Sequence, residues 1–157
     1  AIHLIDVFTK AVKDVDNRTT IKKFISGIND RDNILEQFAK GEIDVLTSMK
    51  CLDEGVDVPQ AELAIFCAST GNPRQFVQRR GRILRKHPDK QFAYIHDLVV
   101  IPEINPNSDS YRMERSMLKK ELERVNNFAL LSENSSHTTN VLLDTMNYYN
   151  LNLYKNE

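Results

Sequence analysis

Two segments hold residue types whose spacing suits chemistry on phosphate. In QFVQRRGRILR, Gln75 to Arg85, the residues Gln78, Arg82 and Arg85 fall four and three positions apart. On a helix that spacing puts three long, donor-rich side chains on one face, away from Phe76 and Ile83, where they converge on a small volume. Such a set suits the three equatorial oxygens of a transferring phosphoryl group, where catalysis is mostly positioning and charge stabilisation. Gly81 lies in the middle of the set, costs about 1 kcal/mol of helix propensity relative to Ala, and permits close backbone approach. The rival reading is a plain basic surface helix. The second segment is CLDEGVDVP, Cys51 to Pro59. Gly55 permits a turn that other residues resist, Pro59 fixes the exit, and Glu54 and Asp57 flank the turn. Taken alone, this pattern reads first as a structural loop, because a strand followed by an acidic, glycine-containing turn is common.

Charge is distributed unevenly around these segments, although 21 basic and 22 acidic residues leave a net charge of −1. Asp30 to Glu62 holds nine acidic residues against Arg31, Lys40 and Lys50. Arg74 to Lys90 holds five arginines and two lysines against Asp89 alone. That block wants phosphate, nucleic acid or an acidic partner, with a solvated helix face as the alternative, and its excess of arginine favours bidentate phosphate recognition.

The elements that must position these residues follow from periodicity. Ile2, Leu4, Ile5, Phe8, Val12 and Val15 recur at helical spacing, Thr19 to Ile25 is rich in branched residues, and Asp30 to Lys40 predicts a helix stopped by Gly41. Ile34, Leu35 and Phe38 form that helix's apolar stripe. Ile43 to Thr47, Leu63 to Ala68, and Phe92 to Ile95 continued by Leu98 to Ile101 predict three further strands. A helix over Arg74 to Lys86 follows Pro73. Strand and helix in alternation predict an α/β fold, a parallel sheet with helices on both faces and ligands at the carboxyl ends of the strands. Beyond Asn105 the pattern becomes helical. Tyr111, Leu118, Leu122, Val125 and Ala129 define a long helix to about Leu131, Ser132 to Asn140 breaks it, and Val141 to Leu153 makes a second with Leu142, Met146, Tyr149 and Leu153 on one face. The expected division is residues 1–104 and a helical extension over 105–157.

With 41% hydrophobic and 27% charged residues among 157, the chain falls in the globular range. No apolar run approaches the roughly 20 residues that cross a bilayer, so no membrane is expected and a soluble, cytoplasmic protein is. Cys51 and Cys67 lack metal-ligand spacing and read as core thiols of a reducing compartment. His87 and His96 have no partner at metal-binding spacing, so no metal is assigned to side chains here. Tyr148, Tyr149 and Tyr154 read as packing groups before base-stacking ones. The charged helix Arg112 to Arg124 reads as a solvated, ion-paired face before a duplex-contacting one.

LxEGxDxP followed about twenty residues later by QxxGRxxR resembles motifs V and VI of superfamily 2 helicases and translocases. The form is similar to that of DNA helicases akin to the XPB repair helicase and to type I and III restriction motors, which share the form QRxGRxLR seen at Gln78 to Arg85 and which GEIDVLTSMKCLDEGVDVP, Gly41 to Pro59, resembles almost throughout. The resemblance implies a second RecA-like domain, of the P-loop NTPase type, lacking its first strand. It implies that Arg82 and Arg85 are arginine fingers for the γ-phosphate of ATP, that Gln78 lies near the attacking water, and that Gly55, Asp57 and Gly81 line the nucleotide cleft. It implies further that Thr47, Ser48, Lys50 and Arg79 touch the nucleic-acid backbone. Arg80 departs from the pattern, standing where this family is often apolar. GxxxxGK[ST] is absent from the sequence, and its one Asp-Glu pair, Asp53 and Glu54, lies in the motif V segment rather than in a separate DExx box. ATP and Mg2+ are therefore expected mainly on a first RecA-like domain of the same protein, this chain alone is expected to be inactive, and DNA is the expected track. RNA, and a non-catalytic interaction module on the same fold, are the alternatives.

Overall fold

The structure, a computed structural model, describes residues 2–49, 58–67, 81–82 and 85–153. Helix α1 (Ile2–Val15), strand β1 (Ile21–Phe24), helix α2 (Arg31–Ala39) and strand β2 (Val45–Ser48) follow one another in the order the periodicity predicts. β1 and β2 pair in parallel, with Ile21 opposite Val45, Lys23 opposite Thr47 and Phe24 opposite Ser48. Because successive strand side chains alternate, Phe24, Leu46 and Ser48 share one face and Lys23 and Thr47 the other. α2 covers the first face, where Phe24 and Ile34 join Ile43, Val58 and Ala61 in a buried cluster. The Arg31 guanidinium lies 4.9 Å from the centre of the Phe24 ring, a cation–π contact. α1 covers the second face, so helices lie on both sides of the pair, as the α/β reading expects.

α2 stops where Gly41 adopts φ +75°, its N–H donating to the Phe38 carbonyl at 3.1 Å. Asp30 holds the N-cap position, but its carboxylate accepts from Asn33 Nδ2 at 2.8 Å rather than from a backbone amide. The α1 stripe is less buried than its pattern suggests: Ile5 is buried, while Leu4, Phe8 and Val15 are exposed. Two strands of four residues are too narrow to cover a stripe of that width.

Strands β3 (Leu63–Phe66) and β4 (Tyr94–Asp97) form a second pair. Tyr94 N–H donates to the Glu62 carbonyl at 2.7 Å and Leu98 N–H to that of Phe66 at 3.0 Å. Both chains advance by four between these bonds, the mark of a parallel pair. The expected single sheet is thus two parallel pairs among the described residues, and Leu63, Ile65 and Tyr94 lie open on one face. The strand expected to continue over Leu98 to Ile101 ends at Asp97. Beyond it Val99 packs against a helical core instead of pairing.

Contacts divide the chain into two compact units, one of Ala1–Ala64 and Gln78–Tyr94, the other of Ile65–Val77 and Ile95–Glu157. The second unit is dominated by α3 (Tyr111–Ala129) and α4 (Ser135–Tyr148). Its buried cluster is Leu118, Leu122, Val125, Ala129, Leu142, Met146, Tyr149 and Leu153, the two stripes that the spacing picks out. α4 begins at Ser135 rather than Val141 and ends at Tyr148. Sequence reading rejects its polar first turn because Ser, Thr and Asn favour caps and turns. Asn150 ends the helix at φ +48°, and Leu151 N–H reaches back to the Met146 carbonyl at 2.9 Å, which returns Leu153 to the core.

The junction of α3 and α4 is held by aromatic and polar contacts together. Tyr111 stacks on Tyr149 with ring centres 5.3 Å apart, and Tyr148 meets Tyr149 edge-on at 4.8 Å. Tyr149 Oη donates to Glu114 Oε2 at 2.9 Å, and Arg115 Nε donates to the Tyr149 carbonyl at 2.9 Å. Burial, reinforced by the Glu114 carboxylate, pushes the Tyr149 hydroxyl up to about 12. Tyr148 and Tyr149 are packing groups, whereas Tyr154 lies outside the described residues. Arg124 departs from the solvated, ion-paired reading of its helix, being ion-paired but buried, 3.3 Å from Asp97 Oδ1 and 2.5 Å from Glu121 Oε2, while Arg112, Lys120 and Glu123 are exposed. Burial raises the Asp97 carboxyl above its ordinary value despite Arg124 beside it. Among the described residues no helix is long and apolar enough to cross a membrane.

Candidate nucleotide and nucleic-acid site

Thr47 and Ser48 close β2 at the carboxyl end of the strand, where parallel α/β folds present their ligand-binding loops. Consecutive residues there face opposite ways. Thr47 points towards α1, its Oγ1 2.9 Å from that of Thr9. Ser48 lies on the Phe24 side, with its Oγ buried and without a hydrogen-bond partner among the described residues. Lys50 lies outside the described residues, as do Gly55 and Asp57 of the acidic turn.

The exit from that turn is firmly built. Val58 and Ala61 are buried in the same cluster as Phe24. Lys90 Nζ donates to the Pro59 carbonyl at 2.8 Å and to that of Ala61 at 3.2 Å. Lys90, counted from sequence in a block that wants phosphate, is thus turned towards protein carbonyls. It sits in a tight turn with His87, whose carbonyl accepts from Lys90 N–H at 3.1 Å.

Gly81 and Arg82 are helical, whereas Arg85 and Lys86 lie past the helical residues. The expected single helical face through Arg85 is therefore not how the described residues place it. Arg82 is half-buried and Arg85 is exposed. A Cβ built at Gly81 would meet nothing within 4 Å, so the protein's own packing places no demand for glycine there. Gln78 and Arg79 lie outside the described residues. What is in view is a half-buried guanidinium beside an open glycine in one segment, and a hydroxyl-bearing strand end in another. Cys67 is half-buried, and burial raises its thiol above the ordinary range, which fits a core thiol better than a nucleophile.

Sequence reading passes over Lys23, Asp6 and Thr9. Lys23 stands opposite Thr47 in the ladder, and Asp6 of α1 pairs with it. The signal for them is slight: Asp6 and Thr9 interrupt the apolar pattern of α1 one turn apart, but only the strand register reveals what they face.

The family model for the helicase conserved C-terminal domain matches residues 7–87, which takes in the latter part of α1, both strands of the first pair and both motif segments. The chain belongs to that family. It is similar to the DNA 3'-5' translocase XPB2 of Sulfurisphaera tokodaii, with 41% identity over 87 residues, 55% of this chain and 18% of that protein. It is similar too to the ATP-dependent DNA helicase MPH1 of Saccharomyces cerevisiae, with 32% identity over 95 residues, 59% of this chain and 9% of that protein. The matches thus span less than a fifth of either relative's length. Among solved structures, Mss116p DEAD-box helicase domain 2 bound to an RNA duplex superposes with a TM-score of 0.41 and 15% identity, over 86% of this chain and 58% of that one.

Proposed function

We propose that this chain is the C-terminal motor domain of an ATP-dependent superfamily 2 DNA helicase or translocase, residues 1–104 forming the second RecA-like domain and 105–157 a helical extension. The observation that carries the reading is that the helicase C-terminal match runs through both motif segments and ends at His87, just past Arg82 and Arg85. The relatives named as acting on DNA favour DNA as the track.

The described residues fit an anionic nucleotide. Arg82 lies on a helical turn beside Gly81, where a Cβ would meet nothing within 4 Å, which supports close approach of a ligand to that backbone. ATP, when bound, supplies the phosphoryl group. Arg82 and Arg85 spread its developing charge over fixed N–H donors, Gln78 orients the attacking water, and Gly55 and Asp57 border the cleft. Among the described residues no group of three or more His, Cys, Asp or Glu could hold a metal ion, and the proposal assigns Mg2+ to the first RecA-like domain. Thr47, Lys50 and Arg79 hold the nucleic-acid backbone, contacts that fix a motor without reading sequence. Ser48 closes the same strand end on the opposite face.

The test is ATP hydrolysis by the full-length protein with and without single-stranded DNA, for the wild type and Arg82→Ala. Stimulated turnover that falls by about 10³-fold or more is expected, the lower end of what an inserted arginine contributes. Stimulated turnover that survives the substitution would overturn the assignment of Arg82.

A further inference from the structure

The paired step Lys23 and Thr47 presents two donors on one face of the sheet, and α1 already occupies both. Asp6 and Thr9 lie three residues apart, on one face of α1. The Asp6 carboxylate accepts from Lys23 Nζ. Thr9 Oγ1 donates to the Ile5 carbonyl at 2.7 Å, which uses the single hydrogen of its hydroxyl. The 2.9 Å contact between the two threonines is therefore made with the hydrogen of Thr47. A hydroxyl in that state can accept but not donate, and a phosphate oxygen requires a donor.

Neither engagement is sealed from water. The side chains of Lys23 and Asp6 are 45% and 47% exposed, and Thr9 and Thr47 are half-buried. Half-exposed pairs of this kind are weak and exchange their partners readily. Building on the DNA-motor reading above, we propose that Lys23 and Thr47 form one phosphate-binding step, which Asp6 and Thr9 hold closed until the phosphodiester backbone of a single strand displaces them. Lys23 thereby joins the nucleic-acid contacts, and α1 becomes a competitor for them.

The experiment is equilibrium binding of a fluorescent single-stranded oligodeoxynucleotide to the full-length protein over a range of salt concentrations. Asp6→Asn is expected to tighten binding several-fold, and adding Lys23→Met is expected to abolish that gain and lower the salt slope by about 0.7, one phosphate contact on a single strand. Thr9→Val is expected to tighten binding about two- to tenfold, Thr9→Ser to bind as the wild type, and Thr9→Val in a Thr47→Val background to change nothing. Circular dichroism checks the fold, and Thr9→Ala, a better helix former, replaces Thr9→Val if the latter unfolds. Should neither fold, the surface change Asp6→Asn decides through its dependence on Lys23. Wild-type affinity in both Asp6→Asn and the Thr9 variants, with Thr47→Val weakened, overturns the latch and leaves the motor reading intact. Loss of all strand binding by the wild-type protein overturns that reading, and the latch with it.

Discussion

Two ion pairs of the same chemistry lie in the two units of the molecule. Arg124 and Asp97 have side chains 8% and 11% exposed, with Glu121 as a second carboxylate. Lys23 and Asp6 are exposed by nearly half. In the helical unit the charges are enclosed, and each depends on the other for its solvation. At the sheet end, water can replace either partner. The difference separates charge that fixes a fold from charge free to be exchanged for a ligand, and surroundings rather than residue type decide which role a pair takes.

The contrast breaks most visibly at Arg124. Arg124→Met is expected to cost about 3–5 kcal/mol at neutral pH in urea unfolding, because it leaves the buried Asp97 carboxylate uncompensated. The Asp97 carboxyl is raised above its ordinary value, so its charged form is the disfavoured one. Removing Arg124, which lowers that carboxyl, raises it further, so the loss should be complete only above its value in the variant and shrink as acidification protonates Asp97. A cost independent of pH would show that packing, not charge, is what Arg124 supplies. A smaller effect tests the backbone of the two units. Gly41 closes α2 and Asn150 closes α4, both at positive φ. Asn150→Ala is expected to cost about 1 kcal/mol, since only Gly and Asn adopt that conformation readily, and Asn150→Gly to be near neutral in the same measurement. The smallest effect belongs to the exposed pair. Lys23→Met should change stability by less than about 1 kcal/mol, and a loss comparable with that of Arg124→Met would erase the distinction between the pairs.

The helical unit was the more legible in sequence. Leu118, Leu122, Val125 and Ala129 of α3, with Leu142 and Met146 of α4 and Tyr149 just past its end, recur at a helical period, and that period alone names the buried face. The start of α4 was hidden because Ser135 to Asn140 carries no apolar residue to mark it. Arg124 was misplaced for a related reason: a charge on a charged helix reads as solvated until a strand end supplies Asp97. At the site, motif spacing located the segments but not the direction of each side chain. Thr47 and Ser48 are adjacent in sequence and face opposite sides of the sheet, which follows from strand geometry only once β2 is known to extend through both. Lys23 meets Thr47 through strand register, and Asp6 and Thr9 reach them from α1, relations between distant segments that no local pattern encodes.

The tyrosine cluster turns the molecule into its own optical probe. The chain has no tryptophan and five tyrosines, three of which (Tyr111, Tyr148 and Tyr149) lie where α3 meets α4. Near-ultraviolet dichroism and intrinsic emission are thus weighted heavily towards the helical unit. The buried hydroxyl of Tyr149, still protonated in alkali that ionises an exposed phenol, gives a delayed phenolate absorbance step that times the opening of this junction alone.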